Sequence, residues 1–203
     1  MDVQELSAGR RERKKSETRR ALRTAAVRLV AARGLDGVTV EDITNAVDVS
    51  PRTFFNYFAS KEEALTAPDP QRLARLHAEL IARPAGEAPL RALQAVLVAD
   101  TAELARRRDE WLKQLSVLKS DPRLLAALAS GWAVLERELA AGISERLGPR
   151  AEPLQASVLA AAAVATLRVA IGRWKTETRD PLASVVRASF EALIRAGADA
   201  AHL

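Results

Sequence analysis

Between Thr39 and Glu63 the chain carries three helix starts in twenty-five residues, a density of caps that leaves room only for short helices joined by tight corners. Thr39 stands three residues before Asp42, a near capping box that opens a short helix over about 40–46. Ser50 followed by Pro51 supplies an N-cap oxygen and a pre-set φ at the first helical position. Ser60 with Glu63 forms a full S-x-x-E box and starts a third helix. Only Val47-Asp48-Val49 separates the first two, enough for a helix-turn-helix corner. Ile43, Ala46, Val49 and Phe54 are the apolar residues expected to lock that corner, with small Ala46 nearest the crossing. The second helix then presents Pro51, Arg52, Thr53, Phe55, Asn56 and Tyr57, groups that bond phosphates, stack on sugars and read base edges.

Upstream, residues 1–9 show no periodicity and read as a loose tail. From about Ser16 to Arg33, Leu22, Ala26, Leu29 and Ala32 recur at the spacing of one helix face. Gly34 is placed to end that helix in a left-handed cap, and Gly37 to turn the chain into Thr39. Eight basic residues lie between Arg10 and Arg23 against Glu12 and Glu17, a local excess larger than the +5 of the whole chain. The positive charge is therefore concentrated in one segment, as an acidic partner requires.

Downstream, Asp69-Pro70, Asp121-Pro122, Asp180-Pro181 and, with a weaker cap, Ala88-Pro89 repeat the grammar of a capping residue before a first-turn proline. These marks predict helices near 70–83, 89–119 with a break around 106–109, 122–147, 152–176 and 181–196. No sustained strand-like alternation occurs, so the fold class is all-α. The expected organisation is a domain over 1–66 and a larger helical domain over 67–203. Leu124, Leu128, Trp132, Leu135, Leu139 and Ile143 line one helix face; Ala160, Val164, Leu167, Ile171 and Trp174 line another; Leu182, Val186, Phe190 and Leu193 line the last. Each seam can be covered inside one chain or by a second copy. Val158, Val169, Val185 and Ile194 are apolar residues off the seams and point to a second buried face.

The run Gly34, Val38-Thr-Val-Glu-Asp-Ile43, Ala46-Val-Asp-Val-Ser50, Thr53-Phe-Phe-Asn-Tyr-Phe58 and Ser60-Lys-Glu-Glu-Ala-Leu65 resembles the N-terminal domain of TetR/AcrR-family bacterial transcriptional regulators over about 18–66. Phe54-Phe55 stands where that family more often has Leu-Tyr, so no hydroxyl is present at 55. The resemblance implies a homodimer that places its recognition helices about 34–36 Å apart on a palindromic operator in double-stranded DNA. Thr53, Tyr57 and Lys61 fall at the family's phosphate-contacting positions. Arg52 and Asn56 suit guanine and adenine edges, Pro51 and Phe55 a thymine methyl, and Thr39 a phosphate. Arg10, Arg11, Arg13, Lys14 and Lys15 form a basic arm that tracks the backbone or enters the minor groove. The family's pairing through its last two long helices assigns Val164, Leu167, Ile171, Trp174, Val186, Phe190 and Leu193 to the dimer interface. A small, largely apolar effector is expected in a cavity lined by Leu104, Trp111, Leu115, Leu118, Trp132 and Leu135. Effector binding would then change the spacing of the DNA-reading heads, with the short helix 61–66 as lever, and repression is the family's usual mode.

The chain has no cysteine and two histidines, His77 and His202, and no glycine-rich phosphate loop, so the usual nucleophile, metal and nucleotide signatures of an enzyme are missing. No cofactor is expected. The N-terminus lacks an apolar signal core, and the longest apolar stretch, Val158 to Leu167, is about half a membrane span, so a cytoplasmic protein is expected. The competing reading is a helical interaction module that lays its basic arm on an acidic protein or membrane surface without operator specificity. The arm does not show the bulky apolar face that a membrane-lying helix needs.

Overall fold

The computed structural model describes residues 3–106, 117–118, 121–150, 152–176 and 180–200, with side chains described over 13–101, 117–118, 121–149, 152–174 and 180–197. Among these residues every regular element is helical: α1 (Val3–Arg33), α2 (Val40–Asn45), α3 (Pro51–Phe55), α4 (Lys61–Thr66), α5 (Pro70–Ile81), α6 (Pro89–Arg106), α7 (Pro122–Leu147), a 3-10 turn (Gly148–Arg150), α8 (Pro153–Thr176) and α9 (Leu182–Ala200). Two compact units result. One holds the described residues up to Ala67 together with those of 109–131; the other holds those of 68–108 and from Trp132 onward.

The first unit is organised by α1, which packs against α2 and α4 while α2 packs against α3. Leu22, Ala26 and Val30 of α1, Ile43 of α2, Phe54 and Phe58 around α3, and Ala64 and Leu65 of α4 form its core. Val117, Leu118 and Leu124 belong to the same core, with Leu128 packed against it. Leu118 is thus part of this unit's interior, not of an effector cavity. Farther along, the Asp121 carboxylate accepts the Arg123 N–H at 2.8 Å and caps the helix that brings Leu124 into the same core. Arg123 also bonds Asp36 at 2.8 Å.

α1 starts at Val3, so residues 3–9 are helical where a loose tail was expected. The segment holds good helix formers and no proline, so local propensity favours a helix although no apolar periodicity marks one. Gly34 takes φ 74°, and its N–H reaches the Val30 carbonyl at 2.9 Å, closing α1 with a left-handed cap. At Gly37 a Cβ would collide with the Arg33 carbonyl oxygen.

In the second unit α6 packs against α5, α8 and α9, and α8 pairs with α9. Leu73, Leu76 and Leu80 of α5, Leu93 and Leu97 of α6, and Leu135, Leu139 and Ile143 of α7 are buried. On the last two helices the buried seam is Ala160, Val164, Leu167 and Trp174 with Leu182, Val186 and Phe190. These side chains are covered within one chain, which corrects their assignment to a partner: Val164, Leu167, Trp174, Val186 and Phe190 have no surface left to offer. Ile171 and Leu193 are half-buried. α8 is the one helix among the described residues long and apolar enough to cross a membrane by length and composition, and it packs one face against α6 and α9.

Candidate nucleic-acid interface

Two caps, at Thr39 and Ser50, build the reading surface. The Thr39 hydroxyl accepts from the Asp42 N–H at 3.1 Å and donates to the Asp42 carboxylate at 3.0 Å, which also accepts from the Thr39 N–H at 2.9 Å. The backbone bond from Thr39, then its hydroxyl and the nearby Arg33, hold the Asp42 carboxyl below its ordinary range. With its single O–H proton already donated to Asp42, Thr39 has none for a phosphate while the box is closed.

The corner follows. Val47 and Val49 both donate to the Thr44 carbonyl at 3.1 Å, and Asp48 between them takes φ 56°, a left-handed value that Asp tolerates better than most residues. Ala46, expected to lock the crossing, is exposed; the side chain turned inward is Thr44, fully buried, with its hydroxyl donating to Glu41 O at 3.1 Å. A buried hydroxyl that satisfies itself on its own helix is invisible to apolar patterning.

Ser50 then opens α3, its hydroxyl accepting the Thr53 N–H at 3.2 Å, and the two hydroxyls lie 2.9 Å apart. α3 is one short turn anchored from below by Phe54 and Phe58, both buried, with ring centroids 5.5 Å apart. Phe55 packs edge-on to Phe54, also at 5.5 Å, yet remains 58% exposed. Pro51, Arg52, Phe55 and Asn56 share the exposed side, while Thr53 and Tyr57 are half-buried. A guanidinium, a carboxamide and an aromatic edge on one convex turn suit a groove lined with donors, acceptors and methyl groups.

The basic residues divide into two sets. Arg19 donates to Tyr57 O at 2.7 Å with its guanidinium 4.3 Å from the Phe58 ring centre, and Arg23 bonds the carbonyls of Ala64 and Ala67. These two cations cap the ends of α3 and α4 from α1. Arg13, Lys14 and Lys15 are exposed; Arg10 and Arg11 lie on α1, outside the described side chains. Lys61 turns inward: its ammonium donates to Leu35 O at 2.7 Å and Val38 O at 2.8 Å.

Residues 22–67 match the signature of bacterial regulatory proteins of the tetR family, and residues 87–198, more than half of the chain, match the MftR C-terminal domain. The chain belongs to the TetR family of transcriptional regulators. It is 38% identical over 149 residues to TcmR, an HTH-type transcriptional regulator of Streptomyces glaucescens, an alignment covering 69% of this chain and 65% of that one. It is 28% identical over 192 residues, 92% of this chain and 94% of the other, to MftR of Mycobacterium tuberculosis (strain ATCC 25618 / H37Rv), provisionally named a mycofactocin biosynthesis transcriptional regulator. A TetR-family structure from Mesorhizobium loti MAFF303099 shares the fold at TM-score 0.55 and 18% identity, over 90% of this chain and 97% of that one. Thermus thermophilus FadR, solved with lauroyl-CoA, does so at TM-score 0.51 and 24% identity, over 87% of this chain and 93% of its own. Such proteins are regulators of transcription rather than enzymes.

For this TetR-family regulator, the effector-site expectations divide by position. Trp111 and Leu115 lie outside the described residues, as does the Leu104 side chain. Leu135 is buried and Trp132 half-buried on α7. The second unit also holds an apolar cleft of about 320 Å³ between the start of α6 (Leu90, Arg91), α8 (Val158, Leu159, Ala162) and α9 (Leu193, Ile194, Gly197). Sequence reading missed three polar clusters of the same unit. Asp100, buried on α6, receives Arg72 in a bidentate pair, its closest contact 2.6 Å, and Arg75 at 3.2 Å. Gln94, also buried, donates to Arg187 O at 3.2 Å and to Glu191, which also pairs with Arg91. His77 has Glu145 3.1 Å from Nε2 and Glu138 3.1 Å from Nδ1, the latter without hydrogen-bond alignment. No cluster of three His, Cys, Asp or Glu placed to hold a metal occurs among the described residues.

Proposed function

We propose that this regulator binds a palindromic operator as a homodimer, represses transcription in the cytoplasm, and is released by a small, largely apolar effector. The observation that carries the DNA-binding reading is the exposed side of α3, where Arg52, Phe55 and Asn56 stand clear of a turn fixed by Ser50, Phe54 and Phe58. Arg52 and Asn56 are the base readers, Pro51 and Phe55 the apolar contacts, and Thr53 and Tyr57 help position the backbone. The second unit senses the effector.

The dimer face lies on the solvent side of α8. Leu154, Val158 and Val169 are 74, 57 and 59% exposed there, with the small residues Ala161, Ala162 and Ala165 between them. Val185 and Ile194 of α9 are half-buried. Val158 and Val169 of this face lie off the seam that packs inside the chain, which supports a second apolar face for a partner, and small side chains let helix axes approach closely.

Selection of binding sites from random duplex DNA tests the reading. Wild-type protein should enrich a two-fold symmetric motif, and Arg52→Ala should bind about 1–3 kcal/mol more weakly with one position relaxed in each half-site. An Arg52→Ala motif identical to wild type would remove Arg52 from base reading, and no enriched motif would remove the operator itself.

A further inference from the structure

α1 is a 31-residue helix, about 46 Å long, and its side chains enter the core of the first unit only from Leu22 onward among those described. Its contacts fix the direction in which the preceding turns run. Arg23 bonds the carbonyls of Ala64 and Ala67 at the end of α4; Arg19, one turn earlier, bonds Tyr57 O just beyond α3 and covers Phe58. Stepping toward the N-terminus therefore passes from the end of α4 to the end of the reading helix. Lys15, Lys14 and Arg13 come next, exposed, about 6–9 Å farther along the same axis. Of the three, Lys15 stands four residues before Arg19 and so shares its face of α1, while Lys14 and Arg13 follow around the helix.

The shape of this extension limits what it can touch. A helix with side chains is about 10–12 Å across, whereas the minor groove is about 6 Å wide. An extended arm fits such a groove; a helical one does not. Phosphates on the rim of the groove that α3 occupies remain within reach of long cationic side chains on a helix, Lys15 on the face of Arg19 and its exposed neighbours Lys14 and Arg13 beside it.

We propose that the N-terminal half of α1 is a rigid phosphate-binding rod, registered by Arg19 against the end of the recognition helix, that adds affinity and salt dependence without reading sequence. The proposal rests on α3 being the groove reader. It sets aside the alternative of a minor-groove arm.

Two variants of the full chain test it, each titrated by fluorescence anisotropy against the selected operator and an unrelated duplex between about 50 and about 200 mM salt. Arg13→Gln/Lys14→Gln/Lys15→Gln should flatten the plot of log affinity against log salt by up to about 2.7 units per bound protomer, about 0.9 for each cation in contact. It should weaken both duplexes alike and leave the selected motif unchanged. Ser16→Pro keeps every charge but ends the rod, and its proline suits the first turn of a helix running on through Leu22. It should lose helical circular dichroism and fall toward the affinity of the triple variant. The proposal is overturned if the triple variant keeps the wild-type slope, or if Ser16→Pro binds as well as wild type. A motif that changes at A·T pairs flanking the half-sites would also overturn it, showing an arm in the minor groove. Should wild-type protein select no motif at all, the groove-reading role of α3 fails instead.

Discussion

Lys61 offers the sharpest test of how far charge alone indicates function. Its position matches a phosphate contact in the family that the sequence resembles, and on that basis its loss should weaken all DNA sequences alike and flatten the salt slope by about one unit. The structure gives the ammonium another task. It donates to Leu35 O at 2.7 Å and Val38 O at 2.8 Å, holding the turn between α1 and α2 from the first residue of α4. Both residues are buried, and their carbonyls have limited access to replacement water. A hydrogen bond to a charged group contributes about 1.5–3 kcal/mol, so two would total about 3–6 kcal/mol. Lys61 is only half-buried, and partial rehydration brings the expected cost of Lys61→Met to about 3 kcal/mol. For a chain of this size that corresponds to a Tm about 6–12 °C lower. Calorimetry on both proteins, paired with operator titrations across salt, separates the roles. A Tm within about 1 °C of wild type together with a slope about one unit flatter would refute the structural role and restore the phosphate contact.

Leu124→Ala should destabilise the protein by about 2–5 kcal/mol in urea denaturation, because Leu124 is fully buried in the first unit. The neighbouring Leu125→Ala, at a side chain 48% exposed, should stay within about 0.5 kcal/mol of wild type, and equal effects would show the core to be wrongly drawn. Val158→Glu should shift sedimentation from dimer to monomer while leaving helical content intact; an unchanged dimer would place the partner elsewhere. Acid should weaken the Thr39–Asp42 box. The Thr39 hydrogen bonds hold the folded carboxyl below the ordinary aspartate range, so its contribution is complete above that range and disappears as pH falls through the lower folded value. Stability curves of wild type and Asp42→Asn should therefore differ at neutral pH and converge under strong acid; a constant gap would contradict the linkage.

What was legible in the sequence is what is decided within a few residues. Ser50-Pro51, Asp69-Pro70 and Asp121-Pro122 mark helix starts because a cap oxygen and a fixed φ act locally, and α3, α5 and α7 begin where they stand. Gly34 signals the end of α1 in the same way. The seam of Val164, Leu167 and Trp174 was equally visible, but periodicity reports only that a face is covered. Whether α6 and α9 cover it or a second chain does depends on contacts far apart in sequence. Lys61 meets Leu35 across 26 positions and Arg19 meets Tyr57 across 38, and no spacing rule reaches that far. The first turns of α1 are different again: residues 3–9 carry no apolar rhythm, so periodicity gives no signal for a helix there. Thr44 escaped notice because a polar residue is not sought in a core.

Leu124 sits on a helix that begins in one unit and runs on into the other, and this has a practical corollary for anyone hoping to borrow the reading head. A fragment ending at Ala67 would contain every residue of the helix-turn-helix and still lack Val117, Leu118 and Leu124 from beneath it. The orphaned surface is greasy, so such a piece should clump or melt even though its reading turn is complete. Transplanting this specificity onto another regulator would require moving two separated stretches of chain together.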